Sequence, residues 1–344
     1  MSALPRHGGG IAAACRLFGG QPRDWLDLST GINPQPAEFA WPPGDIWQRL
    51  PDADLTASAR AAAALHYGVP TDHPQPLPVP GTQAAIQMLP RLVVGGRRMV
   101  FAAPTYNEYA RVFRASGWQV DERPADDALE ADADAIVVVN PNNPDGRLLA
   151  RTDILAAADR LAARGGALVV DEAFADTDPR ESVAGDAGSR DNLIVMRSFG
   201  KFFGLAGLRL GFVIAQEARL TAIDAMMGPW PVSGPALSIA ADLMADCVKV
   251  EAIREAIRAR LRETRDVLDR TGLPIIGDGG LFLLVQHPAA SEIYAHLCRQ
   301  HVLARAFDFR ADWLRFGLAK AAPDAQRLAD ALSEFPRYRD PDRP

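Results

Sequence analysis

Ser198-Phe199-Gly200-Lys201 and, a few residues on, Gly207-Leu208-Arg209-Leu210-Gly211 bring together a hydroxyl, a primary amine and a guanidinium. An amine can condense with an aldehyde, and a hydroxyl and a planar guanidinium can hold a phosphate. The three types therefore fit a small aldehyde that carries a phosphate. Each pattern alone also arises by chance, and a single lysine after a strand is most often a solvated charge.

Four upstream segments add to the set. Gly81-Thr82-Gln83 stands at a strand-to-helix junction, where glycine lets an anion approach the backbone and the helix N-terminus offers free N–H groups. A plain turn with Thr82 as N-cap reads equally well there. Pro104-Thr105-Tyr106 follows an apolar run, so Tyr106 could stack on a flat heterocycle or simply pack in the core. Asn140-Pro141-Asn142-Asn143-Pro144-Asp145-Gly146 has turn composition, and the Asn143 amide could donate to a phenolate oxygen. Asp171-Glu172-Ala173-Phe174 closes another apolar run. A buried aspartate there needs a cation, and a protonated ring nitrogen would serve; a helix N-cap is the ordinary alternative. Glu172 reads as solvent-facing or as a structural hydrogen-bond partner.

These residues must be held by elements that the periodicity places around them. Short apolar strands at 77–79, 98–102, 118–120, 135–139, 168–170, 193–196 and 208–214 alternate with helices at 57–65, 82–92, 108–116 and 153–164. The unbroken run Ala135 to Val139 suits a strand covered on both faces. Strands alternating with helices predict an α/β fold with a mostly parallel sheet, in which ligands bind beyond the strands' carboxyl ends. One long charged helix is expected over 235–270, then an α+β region with strands near 281–285 and 313–317. The expected domains are a large one over 43–233 and a smaller one formed by 1–42 and 234–344.

The chain has 344 residues, 48% hydrophobic and 23% charged, with a formal net charge of -6. That acidic balance argues against nucleic acid as a partner. Arginines from Arg254 to Arg270 alternate with Glu255, Glu263 and Asp266, as on a solvated helix face. Cys15, Cys247 and Cys298 share no metal-like spacing, nor do the six histidines, so no metal site is expected. No apolar run is long enough for a membrane span and Met1 to Gly10 lacks a signal-peptide core; a cytoplasmic location follows as the expectation.

In chain order the set closely resembles the fold-type I pyridoxal-phosphate enzymes, in the aminotransferase class that includes the histidinol-phosphate aminotransferases. The resemblance runs from the N-terminal arm through Arg315. It implies pyridoxal 5'-phosphate as cofactor, with Gly81, Thr82, Gln83, Ser198 and Arg209 about its phosphate. It further implies Tyr106 against the ring, Asn143 at the phenolate, Asp171 at the ring nitrogen and Lys201 as the amine. The fold it implies is a large α/β domain with a mixed, mostly parallel seven-stranded sheet plus a smaller α/β domain, in a homodimer.

Arg6-His7-Gly8-Gly9 and Asp27-Leu28-Ser29-Thr30-Gly31-Ile32-Asn33-Pro34 look like the opening of the L-threonine-O-3-phosphate decarboxylases of cobalamin synthesis. Pro80 to Ala84 and Leu89 to Leu92 look like the same branch. The resemblance implies that His7 meets a substrate phosphate, that Ile32, Asn33 and Asn143 line the substrate side, and that Arg315 binds the α-carboxylate. Arg16 and Arg23 are further phosphate candidates without a motif behind them. Aminotransferases usually carry tyrosine where this chain has Phe174, and the histidinol-phosphate enzymes carry tyrosine where Leu50 precedes Pro51-Asp52. Both departures weaken the aminotransferase reading; an aminotransferase is the rival enzyme and a non-catalytic cofactor-binding or scaffold protein the rival outside enzymes.

Overall fold

A computed structural model describes residues 8–93 and 96–335. The chain divides into two compact units. The first comprises residues 1–35, 144–146 and 255–344, and the second residues 36–143 and 147–254.

The second unit is built on a seven-stranded sheet: β1 Leu77–Val79, β2 Arg98–Ala102, β3 Gln119–Arg123, β4 Ala135–Val139, β5 Ala167–Asp171, β6 Leu193–Ser198 and β7 Gly211–Ile214. The spatial order is β1-β7-β6-β5-β4-β2-β3. Pairing is parallel from β6 through β3, while β7 runs antiparallel to both β6 and β1. The carboxyl ends of β1, β2, β4, β5 and β6 therefore emerge on one edge, and the amino end of β7 joins them there. Strands β4 and β5 are buried along their whole length, as their β-branched runs require. Each fully buried Val or Ile contributes about 1.5–3 kcal/mol relative to exposure.

Helices pack on this sheet. Helix α1, Ala53–Tyr67, starts at Asp52, whose Oδ1 accepts from the Leu55 N–H at 2.8 Å, and stops at Gly68 in the left-handed region. Helix α2, Thr82–Leu92, buries Ala85, Ile86 and Leu89, one face of a 3.6-residue period. Helix α3, Glu108–Ala115, buries Tyr109, Ala110, Val112 and Phe113, and α4 spans Arg151–Ala162. Helix α5 is the short Phe199–Phe202 segment. The single helix expected over 235–270 is two: α6, Gly234–Ala245, and α7, Cys247–Arg270. Asp246 leaves the helical region at ψ 85° between them. The interruption suits their environments, since α6 is mostly buried whereas α7 carries the alternating charges.

The first unit carries an antiparallel sheet of β8 Ile275–Asp278, β9 Phe282–Gln286, β10 Arg305–Phe307 and β11 Arg310–Gly317, in the order β10-β11-β9-β8. Its core gathers Trp25 and Leu28 from the N-terminal segment with Leu283, Leu297, Leu314 and Phe316. Among the described residues, no helix is long and apolar enough to cross a membrane.

Candidate active site

The common edge of the large sheet collects the predicted cofactor residues of the second unit. Gly81 is needed at the start of α2 twice over. Its φ is +74°, and a Cβ there would stand 2.8 Å from Nη2 of Arg209. The Arg209 guanidinium thus lies against the Gly81-Thr82 turn. Arg209 itself adopts φ 54°, an uncommon conformation for a non-glycine residue, and remains exposed, its Nη1 donating to the Ala206 carbonyl at 3.2 Å. Gln83 accepts from the Tyr106 hydroxyl through Oε1 at 3.2 Å and donates from Nε2 to Glu108 at 3.0 Å. Burial, followed by the charges of Glu108 and Asp171, pushes the Tyr106 phenol up to about 12, so it stays protonated.

Ser198 ends β6, and Lys201 follows in α5, half-buried, with Nζ 6.0 Å from the centre of the Phe174 ring. Gly200 lets the 198–208 loop close on itself, since a Cβ there would fall 2.6 Å from the Ala206 Cα. The amine therefore sits beside an apolar ring.

Asp171 is buried at the end of β5. Its Oδ2 accepts from the Tyr109 hydroxyl at 2.7 Å and its Oδ1 from the Ala173 N–H at 3.0 Å. Burial raises its pKa, and these two donors and the Lys201 charge offset only part of that rise. This is the signature of a buried carboxylate short of a cation. Asn142, the neighbour of Asn143, is committed to the turn: its Oδ1 accepts from Thr105 at 2.6 Å and its Nδ2 donates to the Pro104 carbonyl at 2.9 Å. Asn140 brackets the loop through both its amide atoms and Leu149. Asn143 is half-buried at the end of that braced turn.

Two features of this unit escape a reading by motif. Tyr109 stands three residues after Tyr106, its ring edge-on to it at 6.3 Å and 82°. The three-residue spacing of the two tyrosines, Tyr106 just before α3 and Tyr109 in its first turn, was the available signal. Behind the edge lies a buried ionic cluster. Arg197 donates from Nη1 to Glu172 at 2.7 Å and from Nη2 to Asp176 at 2.9 Å, and His66 Nε2 lies 2.7 Å from the same Asp176 oxygen. Glu172 is thus a structural partner and not solvent-facing; it also accepts from Ser182 and from the Val183 N–H. Burial works against the Asp176 charge, but Arg197 and His66 outweigh it and bring its pKa down to about 2.

In the first unit, Arg315 is buried in β11 and its Nη2 donates to the Ser29 carbonyl at 2.9 Å. That bond ties it to the 28–33 loop, in which Asn33 is buried, with Oδ1 accepting from Gln35 N–H at 3.1 Å, and Ile32 is half-buried. Burial, then the neighbouring Arg305, pulls the Arg315 pKa down to about 9. Arg305 pairs opposite Arg315 across β10 and β11 and was not singled out from the sequence, because arginines outside a motif are common. Arg16 and Arg23 are exposed. His7 lies outside the described residues; Gly9, two positions on, donates its N–H to Ser29 Oγ at 2.7 Å.

Residues 24–334 match the aminotransferase class I and II family. The chain is 52% identical to a threonine-phosphate decarboxylase of Sinorhizobium sp over 97% of this chain and 99% of that protein. It is 40% identical to a threonine-phosphate decarboxylase of Pseudomonas aeruginosa over 96% and 97% of the two chains. A solved histidinol-phosphate aminotransferase from Sinorhizobium meliloti, in complex with pyridoxal-5'-phosphate, superposes with a TM-score of 0.78 at 23% identity, covering 97% of this chain and 98% of that one.

Proposed function

The chain belongs to the aminotransferase class I and II family, and on that premise we propose that it decarboxylates L-threonine O-3-phosphate with pyridoxal 5'-phosphate as cofactor. The products are CO2 and (R)-1-aminopropan-2-yl phosphate, an intermediate for cobalamin biosynthesis. The observation that carries this reading is the near full-length match, at 52% identity, to a protein named for that reaction.

The residues present fit the cofactor. Asp171 is a buried carboxylate short of a cation, which a pyridinium nitrogen would supply, and Gly81 lets the Arg209 guanidinium lie against the turn that would cradle a phosphate. When bound, pyridoxal phosphate takes up the electron pair left as a bond at the amino acid Cα breaks. Lys201 would hold its aldehyde carbon; Ser198, Arg209 and the Gly81-Thr82-Gln83 turn its phosphate; Asn143 its phenolate oxygen; Tyr106 its ring. Phe174 offers no hydroxyl toward that oxygen, which leaves Asn143 as its donor.

For the substrate, Arg315 binds the α-carboxylate by a bidentate pair, which sets the direction of the breaking bond. Decarboxylation would require the Cα–carboxylate bond to be the one whose electron pair the cofactor takes up, and Arg315, by fixing the carboxylate's direction, would make that choice. Arg305 beside Arg315 makes a pair of cations suited to an amino acid with a second anionic group, and the Arg315 guanidinium is charged at neutral pH. Arg305 and His7 are assigned to the side-chain phosphate, and Ile32 and Asn33 to the substrate-facing loop. The Lys201 ammonium would be the general acid that returns a proton to Cα.

A homodimer is part of the same reading. Trp41, Trp47, Leu50 and Trp230 are exposed on the second unit, the Trp41 and Trp47 rings 5.8 Å apart. Trp230 also lines a cleft of about 510 Å³ with Pro51, Leu77 and Val232. Exposed apolar surface of this kind marks an interaction site. The free cysteines suit a reducing cytoplasm.

The deciding experiment supplies L-threonine O-3-phosphate to the cofactor-loaded protein without a keto acid. Stoichiometric CO2 and aminopropanol phosphate, lost in Lys201→Ala, are expected. Amino transfer to 2-oxoglutarate without CO2 would replace this reading by the aminotransferase one.

A further inference from the structure

Tyr109 is fully buried on the apolar face of α3, where a phenylalanine would pack as well. The hydroxyl therefore needs its own explanation, because a buried O–H is costly unless it is hydrogen-bonded. Its partner is Asp171 Oδ2 at 2.7 Å. With the Ala173 N–H on Oδ1, the two donors hold one proton-donating contact on each carboxylate oxygen and so fix the rotation of the group. The charges that bear on this carboxylate are few. Lys201 favours its ionised form, Glu172 opposes it, and Tyr106, on the loop before α3, stays neutral. Tyr109 is thus the nearest side chain that both orients Asp171 and favours its charge.

We propose that Tyr109 is a positioning residue for Asp171, holding its carboxylate ionised and in one orientation for the pyridinium nitrogen. The inference rests on the pyridoxal-phosphate reading of the site. Tyr109 touches neither cofactor nor substrate in this role; it acts through Asp171. Loss of a hydrogen bond to a charged group weakens binding by about tenfold to a hundredfold.

The sign of the pH dependence follows. Without the donor, the Asp171 carboxyl is protonated up to a higher pH, and a neutral carboxyl cannot pair with the pyridinium. The defect of Tyr109→Phe therefore widens as pH falls and narrows as pH rises. The test titrates pyridoxal phosphate into the full-length protein stripped of cofactor, from pH 5.5 to 8.5, reading tryptophan quenching and the cofactor's absorbance. Tyr67→Phe is the control, since it removes a buried hydroxyl that makes no hydrogen bond and does not touch Asp171. Weaker binding in Tyr109→Phe, about tenfold or more at low pH and closing toward high pH, with Tyr67→Phe following the wild type, is the expected result. Equal binding of Tyr109→Phe and wild type at every pH overturns the inference, as does a deficit of constant size that tracks a fall in thermal stability. A wild-type protein that binds no pyridoxal phosphate overturns the cofactor reading itself, and this inference with it.

Discussion

Replacing Arg197 by methionine should cost this protein a large part of its stability, and the cost should depend on pH in a calculable direction. Arg197 is 2% exposed and its guanidinium compensates two carboxylates, Glu172 at 0% and Asp176 at 3%. Methionine fills most of the volume but leaves Glu172 buried without its cation and Asp176 with His66 alone beside it. Removing one partner of a buried ion pair costs about 3–5 kcal/mol, because the stranded charge has no solvent. In the wild type, Asp176 titrates at about 2 instead of its usual 3.8. That depression stabilises the fold by about 2 kcal/mol above pH 4, and the contribution is lost as pH falls through about 2. In the variant the sign reverses. Without Arg197, burial raises the folded-state pKa of Asp176 toward and above its unfolded value, so the penalty is absent below about pH 4 and grows as pH rises. Urea denaturation at pH 4.5 and 7.5, followed by circular dichroism, reads both effects. The gap between wild type and Arg197→Met should be about 3–5 kcal/mol at pH 7.5 and clearly smaller at pH 4.5. The triple change Arg197→Met, Glu172→Gln, Asp176→Asn should recover part of the loss, since no charge is left stranded. A gap under about 1 kcal/mol at pH 7.5, or one that does not change with pH, would refute the account of the cluster as a compensated buried charge.

Gly81→Ala forces a Cβ to 2.8 Å from the Arg209 guanidinium at φ +74°, and cofactor affinity measured by dialysis should drop about tenfold, from strain of about 1 kcal/mol plus a displaced arginine. An unchanged affinity would remove Gly81 and Arg209 from the phosphate site. Arg315→Gln should raise the KM for the amino acid about tenfold to a hundredfold, the worth of a charge-assisted bidentate pair, and leave cofactor affinity alone; a change in cofactor binding instead would contradict the assignment. Phe174→Tyr restores a phenolic donor near Lys201, so the visible band of the loaded enzyme should titrate about one unit lower in a spectrophotometric pH titration, and an unmoved band would place the side chain elsewhere.

The strands and the order of chemistry-bearing segments were legible in the chain because each is local. Ala135 to Val139 could only be a strand covered on both faces, and the helix at 82–92 was bounded by Gly81 and its apolar spacing. The break at Asp246 was not legible, since propensity alone runs straight through 235–270 and the separation into a buried helix and a charged one comes from packing. Nor was the assignment of Pro144 to Gly146 to the unit otherwise formed by the two ends of the chain, where Asp145 and Gly146 meet Gly277 and Asp278 within van der Waals distance. Lys201, Asp171 and Asn143 could be proposed from residue type and place after a strand, and Arg209 from its place between glycines, because a reactive group must be of the right kind wherever the fold puts it. Their supports could not. Tyr109 looks like a core aromatic and Arg197 like one of many arginines, while for Glu172 a solvent-facing place and a structural hydrogen bond both stay open until the fold decides for the second. Only the tertiary structure gives Tyr109 a carboxylate at 2.7 Å and Arg197 two, since hydrogen bonds between residues up to 62 positions apart are decided by how strands are laid side by side. The sequence by itself determined which chemistry the chain can do; the packing of the sheet decided which side chains hold that chemistry in place.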